Sequence, residues 1–118
     1  MINLIFGLIQ FSGDDWDFEE AMAEMGCTVH AYDPYVKSPN TTLENLHFHE
    51  IGIAHRLDIN DVKNDEGKIM EFTTLKNAML KNGDQGKKIT YLKIDIEQNE
   101  VEVLREVIDS KLFLFIFY

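Results

Sequence analysis

The stretch Ile2-Asn3-Leu4-Ile5-Phe6-Gly7-Leu8-Ile9-Gln10-Phe11, followed by the turn Gly13-Asp14-Asp15, decides the fold. A short apolar run closed by turn residues reads as a strand buried on both faces. Downstream, Phe18, Ala21, Met22 and Met25 recur at i, i+3, i+4 and i+7, and Gly26 supplies a stop. That spacing predicts a helix with these four residues on its inward face, opened by a cap within Gly13 to Asp15. Thr28 to Asp33 then reads as a second strand, stopped by Pro34. Strand, helix, strand in this order is the layout of a parallel pair joined by a crossover helix.

Outward from this unit the pattern repeats. Tyr35 to Asn45, with Ser38-Pro39-Asn40, reads as a loop or a poorly formed helix, and Leu46 to Ile53 as a third strand. Residues 54–71 are polar and read as an exposed loop or a hairpin. Thr73 or Thr74 can cap a helix that carries Leu75, Ala78 and Met79 on one face and ends at Gly83. Ile89 to Asp95 is a fourth strand. Asn99 with Glu102 resembles a capping box that opens a helix with Val101, Leu104 and Ile108 inward, and Leu112 to Tyr118 is a fifth strand. The expectation is one α/β domain over residues 1–118, a parallel sheet with helices on both faces.

Composition excludes several classes. The 118 residues are 45% hydrophobic, enough for one small core, and 21 acidic against 11 basic side chains give a net charge of -10. Such a balance disfavours a phosphate-backbone surface and a polybasic membrane patch, so neither nucleic acid nor membrane insertion is expected. Cys27 is the single cysteine, which removes an internal disulfide and a cysteine-rich zinc site and suits a reducing compartment. The apolar N-terminal run has no basic residues ahead of it and no small-x-small cleavage pattern, and the C-terminal run is too short to span a bilayer. The cytoplasm is the default compartment.

In open parallel sheets ligands bind beyond the carboxyl ends of the strands. Here those ends carry Gly13 to Asp15, Asp33, Gly52 to Ala54, and Asp95 to Glu97. Asp33 follows Gly13 at the roughly 20-residue spacing at which nucleoside-binding units place a carboxylate for ribose hydroxyls. Ordinary strand-ending turn chemistry at Asp33-Pro34 is the simpler alternative. Gly7, Gly13 and Gly26 lie too far apart to form one glycine cradle, and Asp14, Asp15 and Asp17 would repel a pyrophosphate at the helix start. A sulfonium and ammonium ligand meets no such conflict. Equally, these aspartates serve as helix caps.

Four ordered blocks carry a resemblance. They are Gly13-Asp14-Asp15-Trp16-Asp17-Phe18-Glu19-Glu20-Ala21-Met22, Gly26-Cys27-Thr28-Val29-His30-Ala31-Tyr32-Asp33-Pro34, His47-Phe48-His49-Glu50-Ile51-Gly52-Ile53 and Tyr91-Leu92-Lys93-Ile94-Asp95-Ile96-Glu97. Over roughly residues 10–108 the chain resembles the animal methyltransferase-like domain, a relative of the FkbM-type methyltransferases. The resemblance implies a Rossmann-like class I fold with strand order 3-2-1-4-5 and S-adenosylmethionine as cofactor. It also implies that Gly13 and Asp15 border the methionine part, Asp33 the ribose, and Asp95 and Glu97 the floor near the transferred methyl group, with Asp14 and Gly52 also among the cofactor-binding residues. Asp95 or Glu97 is then the candidate proton acceptor. Gln98 stands where the family has glycine, and the family fold continues past strand five. The chain is therefore expected to be a truncated, cofactor-binding half whose methyl acceptor the sequence does not identify.

Rival readings attach to single residues. His47 and His49 share a strand face and, with His55 or Glu50, would form an incomplete metal set; a polar, half-covered face explains them as well. Cys27 reads as a buried unreactive thiol, and Trp16 as a core aromatic or a cover over the cofactor. For the whole chain the alternatives are a non-catalytic interaction module that self-associates through its apolar C-terminal strand, and a nicotinamide-binding domain.

Overall fold

The computed structural model describes residues 4–9, 16–35, 42–54, 63, 66–95, 102–103, 105 and 116–117. In chain order the elements are β1 (Leu4–Ile9), α1 (Asp17–Glu24), β2 (Thr28–Tyr32), β3 (Leu46–His49), β4 (Gly52–Ile53), β5 (Phe72–Thr73), α2 (Leu75–Lys81), β6 (Tyr91–Asp95) and β7 (Ile116–Phe117). The main sheet runs β3-β2-β1-β6-β7, and every adjacent pair is parallel. A second parallel pair, β4 with β5, stands apart from it.

Alternation along the strands covers both faces of the sheet. On one face Ile5, Val29 and Leu46 pack with Ala23 of α1 and with Cys27, bordered by Phe18, Met22 and Tyr91. On the other, Phe6, Tyr32, Leu92 and Ile94 pack with Leu75, Ala78 and Met79 of α2, together with Ile53, Ile89 and Val103. The α/β expectation with helices on both faces is met by α1 and α2. Trp16 is buried against Ala31 and meets Phe48 edge-on at 5.0 Å between ring centroids, so it is a core aromatic. Cys27 is a buried free thiol.

Both helices end as their glycines predict. After α1 the Cys27 amide bonds the Met22 carbonyl and the Gly26 amide bonds Ala23, with Gly26 at φ 93°. After α2 the Asp84 amide bonds Met79 and the Gly83 amide bonds Leu80, with Gly83 at φ 79°. Each is the paired-bond stop that needs a left-handed residue, which glycine adopts without a Cβ clash. At the start of α2, Thr74 is the cap: its Oγ1 accepts the Asn77 amide at 3.1 Å. Asn45, just before β3, donates to the carbonyls of Ala23 and Cys27, both at 2.6 Å, and so ties the end of α1 to the sheet.

Two expectations need correction. The third strand is not continuous over Leu46 to Ile53. It ends at His49, the chain bends at Glu50-Ile51, and Gly52–Ile53 pairs with Phe72–Thr73 instead. The apolar pattern cannot distinguish one strand from two, because both pieces carry buried residues. The inward face of α1 is also shifted. Glu19 and Ala23 are its buried residues, whereas Met25 lies beyond the helix and is 75% exposed. Glu19 turns inward because Lys93 of β6 meets it there. Within 54–71, expected as an exposed loop or a hairpin, an isolated antiparallel bridge joins Lys63 to Ile69 as the hairpin alternative has it, and Met70 beside it is buried. Of the last predicted helix, Glu102, Val103 and Arg105 are helical and Val103 is buried, while Val101, Leu104 and Ile108 lie outside the described residues.

Candidate functional site

Chain order fixes where a crevice opens. From β1 the sheet grows through β2 to β3 on one side; the chain then returns to place β6 on the other side of β1. The reversal lies between β1 and β6, and crossovers that leave on opposite faces there part at the carboxyl ends. Asp95 ends β6 and pairs with Ile9, the last residue of β1. Asp33 follows Tyr32, which pairs with Leu8. The two aspartates therefore come level on the strands flanking β1, roughly 10 Å apart along two strand spacings.

Local chemistry holds Asp33 firmly. Its Oδ1 accepts the Tyr35 amide at 2.9 Å, an Asx turn around Pro34, and its own amide donates to the His49 carbonyl at 3.2 Å. The side chain is fully buried. Asp33 thus combines turn chemistry with a place at the carboxyl edge of the sheet. Gly52 is buried close by, and a Cβ there would overlap the Phe72 ring and come within 3.1 Å of Pro34 Cγ. Glycine is required at this position by close packing beside the Asp33-Pro34 turn. Of the other predicted site residues, Gly13, Asp14, Asp15 and Glu97 lie outside the described residues.

A polar cluster that sequence reasoning missed lies on the α2 face of β2 and β3. His30, on β2, stacks on His47 and His49 of β3 at 4.9 and 5.3 Å between centroids, and Tyr32 stacks on His49 at 4.4 Å. His30 Nδ1 and His49 Nε2 are 3.0 Å apart, so one ring donates to the other. His30 Nε2 faces Asp84 Oδ2 at 3.4 Å, close enough for attraction, although that oxygen accepts no hydrogen bond among the described residues. Lys87 holds the other Asp84 oxygen at 3.1 Å.

Burial first, and then the neighbouring His49, push the His30 imidazole down to about 4 despite Asp84. His49 is lowered by burial and by His47. Both rings are neutral at pH 7, and the arrangement satisfying both has His49 Nε2–H donating to His30 Nδ1 while His30 Nε2–H faces the carboxylate. Burial raises the Tyr32 hydroxyl to about 12 even though the Asn82 amide donates to it at 2.7 Å. His47 and His49 do share a face, as their spacing predicts. Among the described residues no group of three or more His, Cys, Asp or Glu is arranged to hold a metal ion. Nothing in the spacing of His30 and Asp84 signals their meeting, because α2 and its stop bring them together; the alternation of His30 with Tyr32 is the only hint.

Comparison with known proteins shows the family. The family model described as the methyltransferase FkbM domain matches residues 15–116, a span that contains Asp33, Gly52 and Asp95. The human probable methyltransferase-like protein 24 is 36% identical over 99 residues, covering 80% of this chain and 25% of the human protein. The chain thus spans about a quarter of the length of that relative. No solved structure matches it. With strand, turn and strand-end aspartates all inside the matched span, the chain belongs to the FkbM methyltransferase domain family.

Proposed function

We propose that the chain binds S-adenosylmethionine at the carboxyl edge of its sheet and is the cofactor-binding part of a class I, Rossmann-like methyltransferase. The observation that carries the reading is the register: strand order reverses beside β1, and Asp33 and Asp95 come level on either side of it. The donor set suits this cofactor. Carboxylates accept hydrogen bonds from ribose hydroxyls and attract a cation, whereas a pyrophosphate would be repelled. On this reading Asp33 meets the ribose, Gly52 allows the wall beside Pro34 to close up, and Gly13, Asp14 and Asp15 border the methionine end. Because Asp33 is fully buried, the ribose contact requires its carboxylate to become accessible.

When bound, S-adenosylmethionine supplies an electrophilic methyl group on a positively charged sulfur. The work of the side chains is then mostly orientation, which by itself supplies much of the rate of a displacement reaction. Asp95 or Glu97 accepts the proton that a hydroxyl or amine acceptor loses as it is methylated. Calorimetry tests the reading: S-adenosylmethionine and S-adenosylhomocysteine bind the folded chain, and Asp33→Ala weakens both by roughly tenfold or more, the loss of a charged hydrogen-bond acceptor. No binding to folded protein, or tighter binding of a nicotinamide dinucleotide, contradicts it.

One observation favours a second reading, a self-associating module. Among the described residues β7 is the outer strand of the main sheet, and residues 112–118 carry no charge after Lys111. Such an edge offers unpaired backbone groups to another chain. Sedimentation of the chain with and without residues 112–118 decides it: a dimer that the deletion abolishes, together with no cofactor affinity, supports this reading against the first.

A further inference from the structure

Glu19 has no exposed surface, and its two oxygens are treated unequally. Oε1 takes the Lys93 ammonium at 3.2 Å, while Oε2 has no hydrogen-bond partner among the described residues. The Lys93 nitrogen also lies 5.2 Å from the centroid of the Phe18 ring, so an aromatic face covers it. Removing a carboxylate from water while one oxygen stays unmet is unfavourable, and apolar pairs of similar volume are often as stable as a buried ion pair or more so. This link contributes little to stability. Its consequence is geometric.

Glu19 is the third residue of α1, directly after the connection that carries Gly13 to Asp15. Lys93 sits at the middle of β6, two residues before Asp95. Between them runs β1, where the register partner of Lys93 is Gly7, which has no side chain to obstruct the reach. The link therefore spans the point at which strand order reverses, and it ties together the two segments that border the proposed crevice. Resting on the cofactor reading above, we infer that Glu19 and Lys93 are positioning residues that fix the start of α1 against β6, two residues before its end at Asp95, and so set the width of the cofactor crevice.

The double variant Glu19→Met/Lys93→Met replaces the pair by apolar side chains of similar volume and leaves neither a lone buried ion nor an unpaired amide, so its melting temperature stays within a few degrees of the parent. Its affinity for S-adenosylhomocysteine, measured by calorimetry, falls by roughly tenfold or more. Lys93→Arg keeps a donor on the carboxylate and retains most of the affinity. Affinity unchanged in a folded double variant overturns the inference while leaving the cofactor reading intact; a parent chain that does not bind sinks both. Should the double variant fail to fold, Glu19→Asp decides, since it keeps the charge and shortens the reach by one methylene. A several-fold loss of affinity at unchanged melting temperature supports the positioning role, and parental affinity overturns it.

Discussion

At the scale of single residues, His30 makes stability depend on pH in a stated direction. Its imidazole titrates near 6.5 in the unfolded chain and near 4 in the folded one, so below pH 6.5 the unfolded state binds the extra proton. The stabilisation from keeping this ring neutral is complete above pH 6.5 and is lost as pH falls towards 4. A shift of this size corresponds to about 3 kcal/mol at most, and to less where water reaches the ring. His49 acts in the same sense. Denaturant midpoints measured from pH 7 to pH 4 are expected to fall more steeply in the parent than in His30→Gln; equal slopes would contradict the burial account. Gly52 makes a second residue-scale prediction. Gly52→Ala sets a methyl group against Phe72 and Pro34, and overpacking of this kind costs about 1–3 kcal/mol. A urea midpoint equal to the parent's would mean that the Phe72 ring swings aside freely.

At the scale of elements, local signals were legible where one short segment contains the whole cause. Thr74 and Gly83 bracket α2, and Leu75, Ala78 and Met79 face its core because cap, stop and stripe all lie within that segment. Thr74→Ala removes the acceptor of the Asn77 amide and is expected to lower stability by about 1 kcal/mol, read from the urea midpoint. Where the cause comes from another element, the sequence could not reveal it. The break after His49 arises from Phe72 and Pro34 closing on Gly52, and the inward turn of Glu19 from a lysine on β6. The His30 and Asp84 contact has the same origin, since it depends on which sheet face α2 covers. Hydrophobic spacing ranks positions by polarity, so it counted Met25 among the inward residues and left out Glu19, which is buried where Lys93 meets it.

At the scale of the whole molecule, the proposed site follows from strand order more than from any motif. Chain reversal beside β1 brings Asp33 and Asp95 level although they are far apart in sequence. Alternating strand and helix patterns made a parallel sheet an expectation, the family resemblance implied its strand order, and the spacing of Asp33 from Gly13 pointed to the carboxyl edge that the proposed site uses. Less legible was the burial of Asp33, because solvent access depends on everything packed above the turn. No helix among the described residues is long and apolar enough to cross a membrane. The acidic surface implied by a net charge of -10 also bears on ligand choice: attraction to a cationic cofactor should weaken with added salt, whereas binding of a dinucleotide should strengthen as repulsion is screened.

Titration of isotope-labelled chain with S-adenosylmethionine, followed by backbone amide NMR, tests the central claim most directly. The account predicts shifts concentrated at the ends of β1, β2 and β6, around Ile9, Asp33 and Asp95, with the His30 and Asp84 amides little changed. Shifts confined to other surfaces, or none at millimolar cofactor with the fold intact, would contradict it.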